Sequence, residues 1–377
     1  MFVAIVFAVL VTAIFVPHFA YYMWNKKIVK KEWDLLIDPN YNPKVSLIIA
    51  TYNEAAVIEK KLEDVQRIIY PKNKLQVILV DSASTDGTLD ICKSFIDNNR
   101  LRYPIKLLSE KQRLGKSHAL NVALEYAEGE IIATSDADAF WEPNALINAV
   151  HFFADQSVGA VTGREVLTNI GKNVLTMSEG VYRDFYYTLR LGESKTNSLL
   201  IFDGSLGLYR KSILEKFEES PGFSDDIGTA INLVSKGYRC IFVPEALFHD
   251  VTAHTLGGRI RLKSRRAQHL IAGVLQALKL KIQSKISISA TVVVSNFYMH
   301  VVAPLLFVIA SIAGLVLIPT YFPASLLLIP FVLVLAVFRK TRIFIISYLT
   351  SQIALVIGLL YHIFGKKEAT WRKIEEM

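Results

Sequence analysis

The chain has very few cysteines. Of its 377 residues only two are cysteines, Cys92 and Cys240, and both lie in the middle of the sequence. Two cysteines are too few for a disulfide framework, and they lack the close spacing of a zinc-binding motif. Their scarcity fits a reducing compartment and a structural role for both side chains.

Charge is missing from four long runs. Residues 2–24 contain no Asp, Glu, Lys or Arg, and neither do residues 286–318, 322–338 and 343–364. Each run reaches the roughly 17 residues that a helix needs to cross a bilayer. We therefore predict an N-terminal transmembrane helix at residues 1–24 and about three spans within residues 286–364. A cleaved signal peptide is the alternative for the first run, but no basic residue precedes it and no small-x-small site follows it.

Basic residues beside these runs predict the orientation. Lys26, Lys27, Lys30 and Lys31 follow the first run directly. By the positive-inside rule they place a domain of residues 25–256 in the cytoplasm of a protein held in the cell membrane. Three C-terminal spans would carry the basic tail, residues 365–377, to the outside. Either that is so or one segment is re-entrant or interfacial, and the sequence leaves both open.

Nucleic acid is not indicated as a partner. The formal net charge is +8, but no aromatic-basic interleaving, zinc pattern or helix-turn-helix signal accompanies it. The basic residues gather beside the apolar runs. Anionic lipid head groups and phosphorylated substrates are the partners that this distribution predicts.

The middle of the chain alternates between strand and helix patterns. Buried strands are predicted at residues 45–50, 77–80, 105–108 and 130–135, and helices at 54–69, 85–95 and 117–127. Such alternation is typical of an α/β fold with a parallel sheet. Ligands of these sheets bind outside the carboxyl ends of the strands.

Polar and acidic residues follow three of the predicted strands. Asn53-Glu54, Asp81-Ser82 and the pair Asp136 and Asp138 stand at these ends. Two carboxylates one residue apart are hard oxygen ligands for a divalent cation that also binds a diphosphate. An Asp-x-Asp turn is also common on solvated surfaces. A metal site is favoured here because polar and acidic residues also stand at the ends of the other two strands.

At this point the sequence resembles the family 2 glycosyltransferases. The resemblance is closest to the membrane-embedded branch that includes cellulose and hyaluronan synthases and polyprenyl-phosphate-sugar transferases. The matching segments are residues 50–54 (ATYNE), 80–88 (VDSASTDGT), 113–116 (RLGK), 135–138 (SDAD) and 224–226 (SDD). Their order and spacing cover roughly residues 45–270. The resemblance implies a glycosyltransferase A-type nucleotide-sugar-binding domain with a mostly parallel sheet.

The resemblance also implies roles in binding the donor. Thr51, Tyr52, Glu54 and Asp81 would contact the nucleoside of a UDP- or GDP-linked sugar, since a carboxylate accepts hydrogen bonds from ribose hydroxyls or a base N–H. Lys116 would contact the diphosphate, although a solvated turn would look similar. For Asp86, charge compensation at the start of a helix is the simpler explanation.

The metal ligands are predicted as Asp136 and Asp138, which would hold Mg²⁺ or Mn²⁺ against the diphosphate. Asp136 thereby also counts as a donor-binding residue. His249 could complete the metal shell, but a lone histidine after a strand is more often structural.

The acceptor side is predicted from the second half of the chain. Gly204 and Ser205 resemble the glycine-bearing acceptor loop of the family, and Arg265 and Arg266 are assigned to the same side. Asp225 and Asp226 match the acidic catalytic pair: we predict Asp226 as the base that deprotonates the acceptor, and Asp225 as either a second catalytic carboxylate or a helix cap.

Residues 257–285 combine basic and apolar residues at helical spacing, which predicts amphipathic helices in the membrane interface. The Gln-x-x-Arg-Trp motif of processive synthases is missing here; the chain has Arg265-Arg266-Ala267-Gln268-His269. The predicted function is an inverting transfer of a single sugar to a lipid-linked acceptor, a polyprenyl or dolichyl phosphate or diphosphate. A processive polysaccharide synthase is the alternative, and a non-catalytic sensor or transporter is a third.

Overall fold

The middle part of the molecule is built on one mixed sheet. The computed structural model describes residues 2–220, 222–320 and 338–365. The strands in these ranges are β1 (Val45–Thr51), β2 (Leu75–Asp81), β3 (Ile105–Ser109), β4 (Ile131–Asp136), β5 (Phe140–Trp141), β6 (Val158–Leu167), β7 (Gly207–Arg210) and β8 (Arg239–Asp250). They lie side by side in the order β3-β2-β1-β4-β7-β6-β8-β5.

Helices cover the sheet and continue beyond it. Those of the first half are α1 (Phe2–Ile28), α2 (Ile58–Arg67), α3 (Thr88–Asn98), α4 (Lys116–Leu124), α5 (Ala145–Val150) and α6 (Val174–Thr196). Those of the second half are α7 (Asp225–Ser235), α8 (Leu256–Ile282), α9 (Ala290–Phe297), α10 (Ala303–Thr320) and α11 (Arg339–Ile363), with a π-helical turn at Tyr298–Val302 between α9 and α10.

The predicted α/β fold is confirmed, and its core explains why the sequence gives strands here. In β1, Leu47 and Ile49 face one apolar layer while Ile48 faces the other, and all three are essentially buried. A strand buried on both faces has a nearly continuous apolar sequence, as in parallel sheets covered by helices. β1 pairs in parallel with β2 and β4, and β2 with β3; β7 is antiparallel to β4 and β6.

The register brings the predicted strand ends together. Thr51 of β1 pairs with Asp81 of β2, and Ala50 pairs with Asp136 of β4. Because these three strands are parallel and in register, their carboxyl ends open onto one edge of the sheet. The loops that follow them therefore share one cleft.

Three helices are long and apolar enough to cross a membrane. Within the described residues these candidate spans are Ile5–Ile28, Ala290–Val316 and Arg339–Ile363. They agree with three of the four predicted runs. The remaining run, residues 322–338, lies almost wholly outside the described residues, as does the basic tail.

α8 packs closely against the rest of the protein. Gly358 of α11 lies so near that a Cβ atom there would come within 2.7 Å of the Cβ of Ala267 on α8. Arg259 is one of the basic residues on which the interfacial prediction for residues 257–285 rests, but it is 1% exposed and pairs with Glu179 at 2.9 Å. This part of the interfacial pattern is wrong, because a buried carboxylate on α6 requires a cation beside it. The interfacial position of residues 257–285 as a whole stays a prediction.

α1 is joined to the sheet-containing part of the chain by a buried polar contact. The Tyr21 hydroxyl donates to Glu193 of α6 at 2.7 Å, and Asn296 of α9 donates to the same carboxylate at 2.8 Å. A buried carboxylate with two donors fixes the helices that supply them. α1 is therefore attached to α6 as well as to the apolar helix α10.

Deleting residues 2–24 should leave a protein that still sediments with membranes, because the apolar helices α10 and α11 remain. The measurement is the distribution of the full-length and shortened chains between membrane and soluble fractions without detergent. A shortened chain in the soluble fraction would show that α10 and α11 do not hold the protein in the bilayer.

Candidate functional site

The two loops after β1 and β2 are held to each other. The backbone N–H of Asn53 donates to Ser84 Oγ at 2.9 Å, and Asn53 Oδ1 accepts from the N–H of Thr85 at 2.8 Å. Asn53 and Ala83 have positive φ angles of 54° and 57°. This left-handed geometry is strained for alanine and turns both loops sharply toward each other. The loops form one wall of the cleft.

The predicted nucleoside-binding residues gather at this wall. Thr51, Glu54 and Asp81 are all nearly buried, at 2%, 5% and 1% exposure. Asp81 accepts hydrogen bonds from the backbone of Ser84 at 3.0 Å and from the Thr51 hydroxyl at 3.4 Å. The ring of Tyr52 lies under the guanidinium of Arg113, whose central carbon is 3.7 Å from the ring centre. A stacked aromatic and a buried carboxylate suit a nucleoside, and contact with one stays a prediction.

Asp86 has the structural role that we expected. Its side chain accepts from the backbone N–H groups of Thr88 at 3.1 Å and of Ala55 at 3.0 Å. It thereby satisfies an N–H at the start of α3 and ties the two loops together.

Lys116, at the first position of α4, joins two carboxylates that are far apart in sequence. Its Nζ lies 2.6 Å from Asp136 Oδ1 and 3.2 Å from Asp225 Oδ2. Burial lowers the pKa of Lys116, but the two carboxylates outweigh that effect and raise it well above its ordinary value. The amine stays protonated, so the turn after β4 and the start of α7 meet around a cation. The alternative of a merely solvated turn does not describe this geometry.

The metal candidates Asp136 and Asp138 both line the cleft. The Ser205 hydroxyl donates to Asp136 Oδ2 at 2.8 Å. Burial, together with the neighbouring Asp136, raises the pKa of Asp138. Two crowded carboxylates with a cation already beside one of them are a donor set that fits Mg²⁺ or Mn²⁺.

His249 does not join this pair in a three-ligand group. No cluster of three or more His, Cys, Asp or Glu side chains suited to a metal occurs in residues 2–220, 222–320 and 338–365. His249 Nε2 instead lies 2.5 Å from Glu142 Oε1. Mg²⁺ is often held by one or two carboxylates, with substrate phosphates and water completing its shell. A metal role for His249 stays a prediction.

The predicted catalytic pair opens α7. The helix cap is Ser224, which has an extended backbone, whereas Asp225 is already within the first turn. The capping role that we considered for Asp225 is therefore wrong, and its carboxylate pairs with Lys116. Asp226 Oδ2 accepts from the backbone N–H of Gly204 at 3.1 Å, and its Oδ1 accepts from Ile227 at 2.6 Å.

The electrostatics of Asp226 suit a base. Burial, with the adjacent Asp225 as the next cause, raises the pKa of Asp226 to about 6. A general base works best when its pKa lies near the operating pH. Gly204 is packed against this residue, since a Cβ atom there would lie 3.1 Å from the Asp226 Cβ.

The cleft widens into a cavity of about 1020 Å³. Its lining comes from the loops after β1, β2 and β4 and from α6, α8 and α11. Gly204, Ser205, Arg265 and Arg266 all line it, so the structure brings the acceptor candidates and the catalytic pair into one space.

Sequence reasoning missed the wall that α6 contributes. Glu179, Arg183, Tyr186 and Arg190 recur at intervals of three to four residues and line the cavity. Such spacing places side chains on one helical face. The sequence did contain a signal for this wall, namely a helical face that carries both charged and aromatic side chains. The segment does not follow a predicted strand and matches no known motif.

A mixed, mostly parallel sheet with an acidic turn after β4 at the edge of a cleft is the arrangement of a glycosyltransferase of the GT-A fold. The chain belongs to the glycosyl transferase family 2, whose profile matches residues 46–217, and it is a hexosyltransferase. The predicted family, fold class and enzyme class are confirmed.

Relatives that are named as glycosyltransferases or polysaccharide synthases agree with this assignment. The chain is 29% identical over 209 residues to the probable glycosyltransferase YdaM of Bacillus subtilis (strain 168), a match that covers 54% of this chain and 50% of YdaM. It is 24% identical over 227 residues to the poly-beta-1,6-N-acetyl-D-glucosamine synthase of Staphylococcus aureus (strain COL), covering 59% and 54%. The matches thus span about half the length of these relatives.

A solved structure covers the chain more fully. It is the mannosyltransferase PcManGT from Pyrobaculum calidifontis in complex with GDP-Man and Mn²⁺. That protein is 32% identical, superimposes with a TM-score of 0.81, and the alignment covers 97% of this chain and 100% of the other.

Proposed function

We propose that this protein is an inverting, metal-dependent glycosyltransferase that moves a single sugar from a UDP- or GDP-linked donor to a lipid-linked acceptor at the membrane. The observation that carries the proposal is the single cavity that joins the carboxylates of the transfer site to α11.

Part of the cavity lining is apolar. Ile343, Ala354 and Leu355 of α11 line it, as do Leu262 and Leu270 of α8. α11 is also one of the helices long enough to cross a membrane. An acceptor whose apolar chain lies in the bilayer could therefore present its polar end to the cavity without leaving the membrane.

The cavity is also lined by cations that have no carboxylate partner among the described residues, and such cations suit a phosphate. Arg190 is 8% exposed, and its guanidinium donates to the Thr162 hydroxyl at 3.3 Å. No carboxylate pairs with Arg190 within the described part of the chain. A buried guanidinium without an anion is costly, and a phosphate group accepts from it through two oxygens in a bidentate geometry. Arg266, Arg339 and Lys340 line the same cavity.

Different residues of the cleft would carry out different parts of the transfer reaction. Asp136 and Asp138 would hold a divalent cation, which would neutralise the charge that gathers on the departing nucleoside diphosphate. Lys116 orients Asp136 and Asp225 and supplies a fixed positive charge on the diphosphate side. Asp226, held by the N–H of Gly204, removes the proton of the acceptor hydroxyl as it attacks the anomeric carbon.

The PcManGT complex supports the metal and the donor class, since that protein binds GDP-Man and Mn²⁺. Family membership favours an enzyme over the transporter or sensor alternative. The cytoplasmic orientation of the catalytic domain is part of the proposal and rests on the lysines that follow α1.

The function is tested by a donor screen. The purified chain in detergent is given a panel of UDP- and GDP-sugars with extracted polyprenyl lipids, and release of nucleoside diphosphate is measured. We expect release with one donor that depends on the lipid fraction. Release that is equally fast without lipid would contradict a lipid-linked acceptor.

A processive synthase is the second candidate because one relative is a poly-beta-1,6-N-acetyl-D-glucosamine synthase. The length of the product separates the two. One added sugar per acceptor supports single transfer, and a ladder of products supports a synthase.

The raised pKa of Asp226 predicts a pH dependence of transfer. A base with a pKa of about 6 is deprotonated above that value and gains a proton below it. The saturated rate should therefore be level above pH 7 and fall about tenfold per pH unit below pH 6. Single-turnover rates from pH 4.5 to 8 measure this, with donor affinity determined at each pH as the control. A rate that rises on acidification would remove Asp226 from the role of base.

A further inference from the structure

A buried lysine lies directly behind the acidic turn after β4. Lys61 of α2 is 1% exposed and is not part of the cleft surface. Burying an ammonium is expensive unless each of its N–H groups finds a partner. Its position therefore calls for an explanation beyond packing.

The ammonium of Lys61 binds both ends of the turn. It donates to Ser135 Oγ at 2.8 Å, one residue before Asp136, and to the backbone carbonyl of Ala139, one residue after Asp138. Its third partner is Asp64 Oδ2 at 3.5 Å on the same helix. The segment that bears both acidic side chains is thus clamped at its two ends by one charged group.

A second connection extends the clamp to the cleft. Asp64 Oδ2 accepts from the backbone N–H of Trp141 at 3.0 Å, and Trp141 Nε1 donates to the carbonyl of Ser205 at 3.0 Å. Ser205 in turn donates its hydroxyl to Asp136 Oδ2 at 2.8 Å. A continuous series of contacts therefore connects Lys61, through Asp64, Trp141 and Ser205, to the Asp136 carboxylate of the same turn.

From this geometry we propose that Lys61 is a positioning residue for the divalent cation, which fixes the separation and direction of the Asp136 and Asp138 carboxylates from behind. The inference rests on the metal site of the proposed function. Two ligands on a free turn would sample many separations, and only a few match the coordination of Mg²⁺ or Mn²⁺. Groups that orient the ligands of a metal in this way commonly account for 10- to 100-fold of its affinity.

The test is the affinity of the full-length chain in detergent for Mn²⁺, measured by the electron paramagnetic resonance signal of free Mn²⁺ in the presence of saturating UDP or GDP. Lys61→Met removes the clamp and is expected to weaken Mn²⁺ binding about tenfold or more. Ser135→Ala removes one of its contacts without leaving a charge unpaired, and it should weaken binding in the same direction by less.

Lys60→Met is the matched control. Lys60 precedes Lys61 on α2, is exposed, and its ammonium lies 4.7 Å from the centre of the Phe140 ring. The substitution removes the same charge from the same helix and should leave Mn²⁺ affinity unchanged. Because Lys61→Met leaves Asp64 buried without its cation, Lys61→Met with Asp64→Asn is measured beside it, and thermal unfolding without metal is recorded for every variant.

The outcomes are distinct. If Lys61 served folding alone, the unfolding temperature of the Lys61 variants would fall. The Mn²⁺ affinity of Lys61→Met, of the double variant Lys61→Met with Asp64→Asn, and of Ser135→Ala would then be unchanged, and this result would overturn the inference. Tighter Mn²⁺ binding would also overturn it, since the ammonium would then act only by repelling the cation. If the wild-type chain binds no Mn²⁺ with either nucleotide, the proposed metal site itself is wrong, and the inference with it.

Discussion

Asp136→Asn and Asp138→Asn are each expected to lower sugar transfer by roughly 10³-fold or more, about 4 kcal/mol of transition-state stabilisation. Each substitution keeps the size of the side chain but removes a charged oxygen from the pair that we propose as the metal ligands. Excess EDTA should have the same effect on the wild-type chain. The measurement is the single-turnover rate at saturating donor, with and without chelator.

Folding should be little affected by these substitutions. An asparagine at position 136 still accepts from the Ser205 hydroxyl, and Lys116 retains Asp225 as a partner at 3.2 Å. Asp90→Asn is the control, because Asp90 is an exposed carboxylate on α3 whose pairing with Lys93 spans 3.8 Å. Undiminished transfer in excess chelator would disprove the metal role of both residues.

Asp226→Asn is expected to lower the saturated rate by roughly 10²-fold or more while the donor binds nearly as well as before. The asparagine keeps an oxygen for the N–H of Gly204 but cannot take up a proton at neutral pH. Donor affinity and single-turnover rate, measured on the same preparation, separate the two effects.

Two further variants make this result specific. Asp184→Asn changes an exposed carboxylate on α6 that lines the same cavity, and it should leave the rate unchanged. Asp225→Asn removes a partner of Lys116 and should weaken donor binding more than it slows transfer. If Asp226→Asn instead weakened donor binding and left the saturated rate intact, Asp226 would be a donor ligand, and Asp203 or Asp225 would have to be the base.

The dependence on Asp226 also reports on the acceptor. A lipid phosphate is already largely ionised at neutral pH, with a pKa of about 6, and its oxygen can attack without a base. A sugar hydroxyl on a lipid diphosphate cannot. A strong loss in Asp226→Asn therefore supports a hydroxyl acceptor, and a small loss with an intact metal requirement supports a lipid phosphate.

The sequence by itself determined the elements whose signals are local. β1, β2 and β4 are apolar runs that end in polar residues, and each of these signals lies within a few neighbouring positions. Because parallel strands align their carboxyl ends, placing Asp81 and Asp136 at one edge needed no knowledge of packing. The apolar helices α1, α10 and α11 were predictable for the same reason, since an uncharged run of about 17 residues or more is visible in the sequence itself.

Only the tertiary structure decided which side chains meet. Lys116 lies between Asp136 and Asp225, Ser205 donates to Asp136, and His249 lies beside Glu142, although these partners are distant in sequence. Lys61 and Arg190 look in sequence like ordinary helical cations, and it is burial that gives each its significance. Such contacts depend on how helices and strands pack and on the cost of burying a charge without a partner. That cost is a property of the assembled fold, and no local pattern of residues records it.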